Sequence, residues 1–129
     1  MLTNVVNVAP TVFVVDDDPS VRKALRRLIR SAGLKVETFA SAEEFLDFER
    51  NDGPSCLVLD IQMPGLSGLQ LQDRLMTSGA NLPVIFITAY EDTNVRTRAL
   101  DQGAARFLEK PFDDDVLLDA IHSATRDAA

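Results

Sequence analysis

The stretch TVFVVDDDPS, Thr11 to Ser20, decides how the rest of the chain is read. Apart from Thr11 its first five residues are apolar, without the alternation of a strand that has one wet face, so they predict an interior parallel strand covered on both sides. Three carboxylates follow at once, Asp16, Asp17 and Asp18, and then Pro19. Asp18 before proline reads as a helix cap with proline at the first helical position. Behind it Val21, Ala24, Leu25, Leu28 and Ile29 recur at helical spacing, while Arg22, Lys23, Arg26, Arg27 and Arg30 take the other face. Gly33 ends this helix. A buried strand with acids at its carboxyl end, followed by an amphipathic helix, is one unit of an α/β sheet.

The unit repeats along the chain. Lys35 to Phe39 alternates and is rich in strand formers, and Ser41-Ala-Glu-Glu44 has capping-box spacing before a helix carrying Phe45, Leu46 and Phe48. Asn51 to Pro54 is a predicted loop. Cys56 to Leu59 is the third strand and delivers Asp60 at its carboxyl end. The segment IQMPGLSG, Ile61 to Gly68, carries one proline and two glycines in eight residues and must be a structured loop. A helix over Leu69 to Met76 follows, then a strand over Pro83 to Ile87 with Thr88 after it, and a helix over Thr93 to Gln102. Arg106 to Leu108 is a short fifth strand, ahead of Lys110, and the last helix spans Asp113 to Ala124. Parallel strands need crossover helices, and right-handed crossovers on both faces give an open, doubly wound sheet. Ligands of such sheets sit at the carboxyl ends of the strands.

Composition narrows the function. At 129 residues the chain fits one domain, and its net charge of -7 argues against a nucleic-acid-binding surface. No apolar run approaches the length of a membrane span, and MLTNVVNVAPT does not read as a signal peptide, so a cytoplasmic location is expected. The single cysteine, Cys56, lies in an apolar run and reads as a small buried hydrophobe. His122, the single histidine, falls in the last helix, far in sequence from the carboxylates. There is no glycine-rich phosphate loop.

What remains is the set at the strand ends: Asp16 and Asp17 after the first strand, Asp60 after the third, Thr88 after the fourth and Lys110 after the fifth. Carboxylates gathered this closely repel one another unless a cation compensates, and Mg2+ is the hard ion that takes oxygen ligands while sharing its site with phosphate. A carboxylate nucleophile beside a divalent ion, a lysine and a hydroxyl suits phosphoryl transfer, because each neutralises charge on the moving oxygens. Asp18 is the cap and stands outside the set.

The segments VVDDDPS (Val14 to Ser20), LVLDIQMPGLSG (Leu57 to Gly68), PVIFITA (Pro83 to Ala89) and FLEKPF (Phe107 to Phe112) resemble the signatures of the receiver domain of bacterial two-component response regulators. They are most similar to receivers that precede a helix-turn-helix DNA-binding domain. The resemblance implies a flavodoxin-like five-stranded parallel sheet, order 2-1-3-4-5, with five helices, over residues 11–125. Residues 1–10 are then a flexible amino-terminal segment, and 126–129 a tail or the start of a linker to an output domain. It implies that Asp60 accepts a phosphoryl group from a sensor histidine kinase, and that the domain catalyses its own phosphorylation and dephosphorylation without being a conventional enzyme. Mg2+ would be held by Asp17 directly, by Asp16 mainly through a water, by Asp60 and by the backbone carbonyl of Gln62. Thr88 and Lys110 would bind the phosphoryl group, and the Lys110-Pro111 bond would be cis. Thr88 and Phe107 would form the switch to a surface of the fourth helix, fifth strand and fifth helix, where phosphorylation favours a homodimer. Gln62 and Tyr90 overhang the site as modulators, Tyr90 by shielding the acyl phosphate from water. DNA would be reached only through an output domain.

Three other readings fit less well. A Mg2+-dependent phosphohydrolase commonly places a second carboxylate two residues after its nucleophile, where this chain has Gln62. A flavin-binding domain needs a hydroxyl-rich loop after the first strand, where this chain has three acids. A degenerate receiver that only binds partners would not keep all five site residues.

Overall fold

The computed structural model of the chain describes residues 10–50, 53–89 and 92–127. Five strands and five helices alternate: β1 (Thr11–Val15), α1 (Pro19–Ser31), β2 (Lys35–Phe39), α2 (Ala42–Asp47), β3 (Ser55–Asp60), α3 (Gly68–Thr77), β4 (Val84–Thr88), α4 (Thr93–Asp101), β5 (Arg106–Glu109) and α5 (Asp114–Asp127). All strand pairings are parallel, in the order β2-β1-β3-β4-β5. This is the doubly wound arrangement and the strand order expected from the sequence. Boundaries differ by one to three residues. β3 includes Asp60, β4 includes Thr88, and α5 runs to Asp127, past the expected end of the domain at residue 125. Asp113 stays outside α5, its carbonyl accepting from the Val116 and Leu117 amides. Nine of the ten residues of the predicted flexible segment and half of the predicted tail, 1–9 and 128–129, lie outside the described residues.

The strand pleat sends alternate side chains to opposite layers. Val12, Val14, Val58, Ile85 and Ile87 face Leu25 and Ile29 of α1 and Leu117 and Ile121 of α5. Phe13, Val15, Leu57, Leu59 and Phe86 face Phe45 of α2, Leu71 and Leu75 of α3 and Ala99 of α4. Leu57, Leu59, Ile85 and Ile87 are wholly buried, each worth about 1.5–3 kcal/mol by leaving water. Cys56 is buried among them, and burial pushes its thiol up to about 12, which fits its role as a core hydrophobe.

Helix ends follow local chemistry. Asp18 caps α1 by accepting from the Ser20 amide at 2.8 Å, with Pro19 next. At α2, Ser41 accepts from the Glu44 amide at 3.1 Å, but the Glu44 carboxylate reaches the Ala40 amide at 3.5 Å and not the cap itself. The complete capping box lies at α3, where Ser67 and Gln70 satisfy each other's backbone. Helix α4 is the least anchored, with Ala99 as its one buried residue. Polar ties to α3 supplement that packing: Gln72 Nε2 donates to the Ala99 carbonyl at 3.1 Å, and Arg98 meets Asp73 at 3.3 Å.

Candidate functional site

Register assembles the site. Val15 is level with Leu59, Asp60 with Ile87, and Thr88 with Glu109, so the first residues beyond β1 and β5 come to one rim with the last of β3 and β4. There Asp16, Asp17 and Asp60 each offer a carboxylate oxygen within 4.8 Å of the others. Asp16 is fully buried and Asp17 exposed. This tri-carboxylate cluster can coordinate a divalent cation.

The acids are held individually. Asp16 Oδ1 accepts from the Asp18 amide at 2.9 Å, and its backbone carbonyl accepts from Arg22 Nη1 at 2.7 Å. Asp60 Oδ1 accepts from the Gln62 amide at 3.3 Å. Lys110 Nζ lies 3.0 Å from Asp16 Oδ2 and 3.8 Å from Asp60 Oδ2. Its own amide donates to the Thr88 carbonyl at 2.7 Å, which sets Lys110 beside the end of β4, and the Lys110-Pro111 bond is cis. Burial pushes the Asp60 carboxyl up to about 6. The Asp16 charge adds to the rise, Lys110 and the Gln62 amide offset part of it, and Asp17 adds a smaller push. A cation in the cluster would offset both the burial and the repulsion that raise Asp60, so the donor set fits a hard divalent ion.

Thr88 is buried at the same rim, and Gln62, two residues after Asp60, is exposed. Phe107 points inward: it is 9% exposed and packs against Phe86 at 6.2 Å, with the Arg96 guanidinium 5.9 Å above its ring. Tyr90 lies outside the described residues. His122 is exposed on α5.

Two supports were not legible in the sequence. A Cβ on Gly68 would sit 2.3 Å from the Asp60 carbonyl oxygen, so only glycine lets α3 start against the end of β3. Its amide donates to the Ile61 carbonyl at 3.0 Å. Glu43 of α2 accepts from the Leu66 amide at 3.2 Å, pinning the loop that follows Asp60, and its carboxylate lies where a side chain on Gly65 would begin. The glycines of IQMPGLSG were the one signal for the first; nothing in the sequence marks Glu43.

Known proteins share this architecture. The family described as the response regulator receiver domain matches residues 12–122. The chain is 50% identical over 114 residues to nodulation protein W of Bradyrhizobium diazoefficiens, covering 88% of this chain and 50% of that protein. It is 47% identical over 116 residues to the transcriptional regulatory protein TdiR of Thauera aromatica, covering 90% and 51%. The chain thus spans about half the length of these curated relatives. Among solved structures, the response regulator StyR superposes with a TM-score of 0.86 at 50% identity, over 92% of this chain and 60% of that one. FixJ-N superposes at 0.83 with 38% identity, over 92% and 95%.

Proposed function

This chain belongs to the response regulator receiver family, and from that membership we propose that Asp60 is its phosphoacceptor, charged by a sensor histidine kinase in a Mg2+-dependent reaction. The observation that carries the assignment is the cluster of Asp16, Asp17 and Asp60 within 4.8 Å, with Lys110 against two of its members. Asp16, Asp17, Asp60 and the Gln62 carbonyl would hold the ion. When bound, Mg2+ supplies positive charge for the phosphoryl oxygens.

An Asp60 carboxylate oxygen attacks the phosphorus of the phosphohistidine. The new O–P bond forms as the N–P bond breaks, and the imidazole leaves with the electron pair. Water later attacks the acyl phosphate, releasing inorganic phosphate and restoring the carboxylate. Lys110 pairs with the phosphoryl oxygens and Thr88 donates its hydroxyl to one of them. Gln62 and Tyr90 set how readily water approaches. Movement of Thr88 is transmitted to the surface of α4, β5 and α5 beside Phe107. Thr88 and Phe107 form the switch, and in this structure Phe107 stands in the inward position, packed against Phe86.

The receiver unit comprises the sheet and its helices, with an output domain beyond it. That reading is supported by relatives about twice as long, one of them a transcriptional regulatory protein. DNA contact then belongs to the output domain, and phosphorylation favours a homodimer of the receiver. Among the described residues no helix is long and apolar enough to cross a membrane.

Intact-protein mass spectrometry after incubation with acetyl phosphate tests the assignment. One Mg2+-dependent phosphoryl adduct on the wild type and none on Asp60→Asn is expected. An adduct that survives in Asp60→Asn moves the acceptor elsewhere.

A further inference from the structure

Arg22 stands where two electrostatic arguments count against a cation. It is the fourth residue of α1, close to the end of the helix where the dipole disfavours positive charge. It also lies beside the carboxylate rim, where its charge opposes that of any ion the acids would hold. Lys23, Arg26, Arg27 and Arg30 are exposed, whereas Arg22 is partly buried and folded back over the start of the helix. Its Nη1 donates to the backbone carbonyl of Asp16 at 2.7 Å, a short bond of the charge-assisted kind.

That bond reaches the neighbour of Asp16. The Asp16 carbonyl oxygen and the Asp17 nitrogen belong to one planar peptide unit, so fixing the oxygen fixes the plane. The next unit is fixed as well, because the Asp18 amide donates to Asp16 Oδ1 at 2.9 Å. Asp17 is thus strung between two pinned planes, the first of them held by Arg22. Its own carboxylate is exposed and makes no hydrogen bond among the described residues. Asp16 and Asp60 each have partners for their side chains; Asp17 is aimed at the cluster by its backbone.

We propose that Arg22 is a positioning residue for the metal site, orienting the Asp16–Asp17 peptide so that the Asp17 carboxylate meets the ion. The inference rests on the reading of Asp16, Asp17 and Asp60 as Mg2+ ligands. Its sign separates it from a plain field effect. If charge alone mattered, removing a cation near Mg2+ would tighten binding. Removing the pin loosens it.

The test titrates the full chain, freed of metal by chelator, with Mg2+ and follows the amide signals of Asp17, Asp60 and Gln62. Wild type is compared with Arg22→Met, which keeps an apolar stem and has no donor. Arg26→Met is the charge control, one turn along α1 on an exposed position. Arg22→Met is expected to bind Mg2+ about tenfold more weakly, the lower end of what losing an outer partner of a metal ligand costs. Arg26→Met is expected to match wild type or to bind slightly more tightly. Binding by Arg22→Met as tight as wild type overturns the proposal, and so does equal weakening in both variants. If urea melts show Arg22→Met to be unfolded, Arg22→Lys takes its place, with the charge kept on a stem that ends one atom short. Unchanged Mg2+ affinity in that variant overturns the proposal. A wild type that binds no Mg2+ is a different result, because it removes the metal-site reading itself and the inference with it.

Discussion

Lys110 Nζ lies 3.0 Å from Asp16 Oδ2, nearer to that wholly buried carboxylate than to Asp60, from which it stands 3.8 Å. The lysine therefore pairs directly with the buried Asp16 carboxylate, whose backbone carbonyl already holds the Arg22 guanidinium, and keeps Asp60 within reach.

Lys110→Ala should destabilise the metal-free fold by about 2 kcal/mol, since it leaves the Asp16 charge buried without its partner. The figure is below the usual cost of breaking a buried pair because the Lys110 side chain is 23% exposed. Urea melts in chelator check it, and a change under about 0.5 kcal/mol would mean that solvent already screens Asp16.

Asp60 gives the stability curve a direction in pH. Its carboxyl is raised in the fold from 3.8 to about 6, so above about pH 6 the ionised group costs stability. As pH falls from about 6 towards 3.8 the folded protein takes up the proton before the unfolded chain does, and the cost is withdrawn. In chelator, Asp60→Asn should be more stable than wild type by on the order of 2–3 kcal/mol at pH 8, with the difference fading by about pH 4. Chemical denaturation at a series of pH values reads this directly.

Asp17 separates metal binding from folding. It is exposed, so Asp17→Asn should change metal-free stability by no more than about 0.5 kcal/mol. Wild type at a Mg2+ concentration ten times its Kd should gain about 1.4 kcal/mol, and the variant should lose most of that gain. Thermal melts with and without Mg2+ distinguish the two effects. An equal gain in both proteins would take Asp17 out of the ion's ligand set.

Gly68→Ala should cost about 3 kcal/mol, at the upper end of overpacking, because the atom its new Cβ meets is backbone and cannot rotate away. The displaced group is the Asp60 carbonyl, so phosphorylation by acetyl phosphate should slow as well. Denaturant melts and a phosphorylation time course on the same sample test both halves.

Much of this architecture was legible before any coordinates. TVFVV and CLVL announce strands buried on both faces, and the acids after them announce the rim, because apolar runs and Asp-Pro caps act locally. The five site residues stand at ends that periodicity alone could place. What stayed hidden depends on distant parts meeting. Glu43 and Leu66 are 23 residues apart, and Gln72 reaches Ala99 across 27. Arg22 looked like one more cation on the outer face of its helix, yet its guanidinium reaches back to the Asp16 carbonyl. The α3 capping box, Ser67 with Gln70, was visible as a pattern but sat beneath a segment dominated by its glycines.

The carboxylates, Thr88 and Lys110 all stand at or just past strand ends, and none rides on the outward face of a helix. The rim is therefore built by the sheet, and the exposed outer positions of α1 carry none of it. The exposed positions Lys23, Arg26, Arg27 and Arg30 on α1 can be randomised as a block to search for new binding partners while the reaction centre stays constant. For an engineer the sheet rim is the fixed part of the domain and this helix face the variable one.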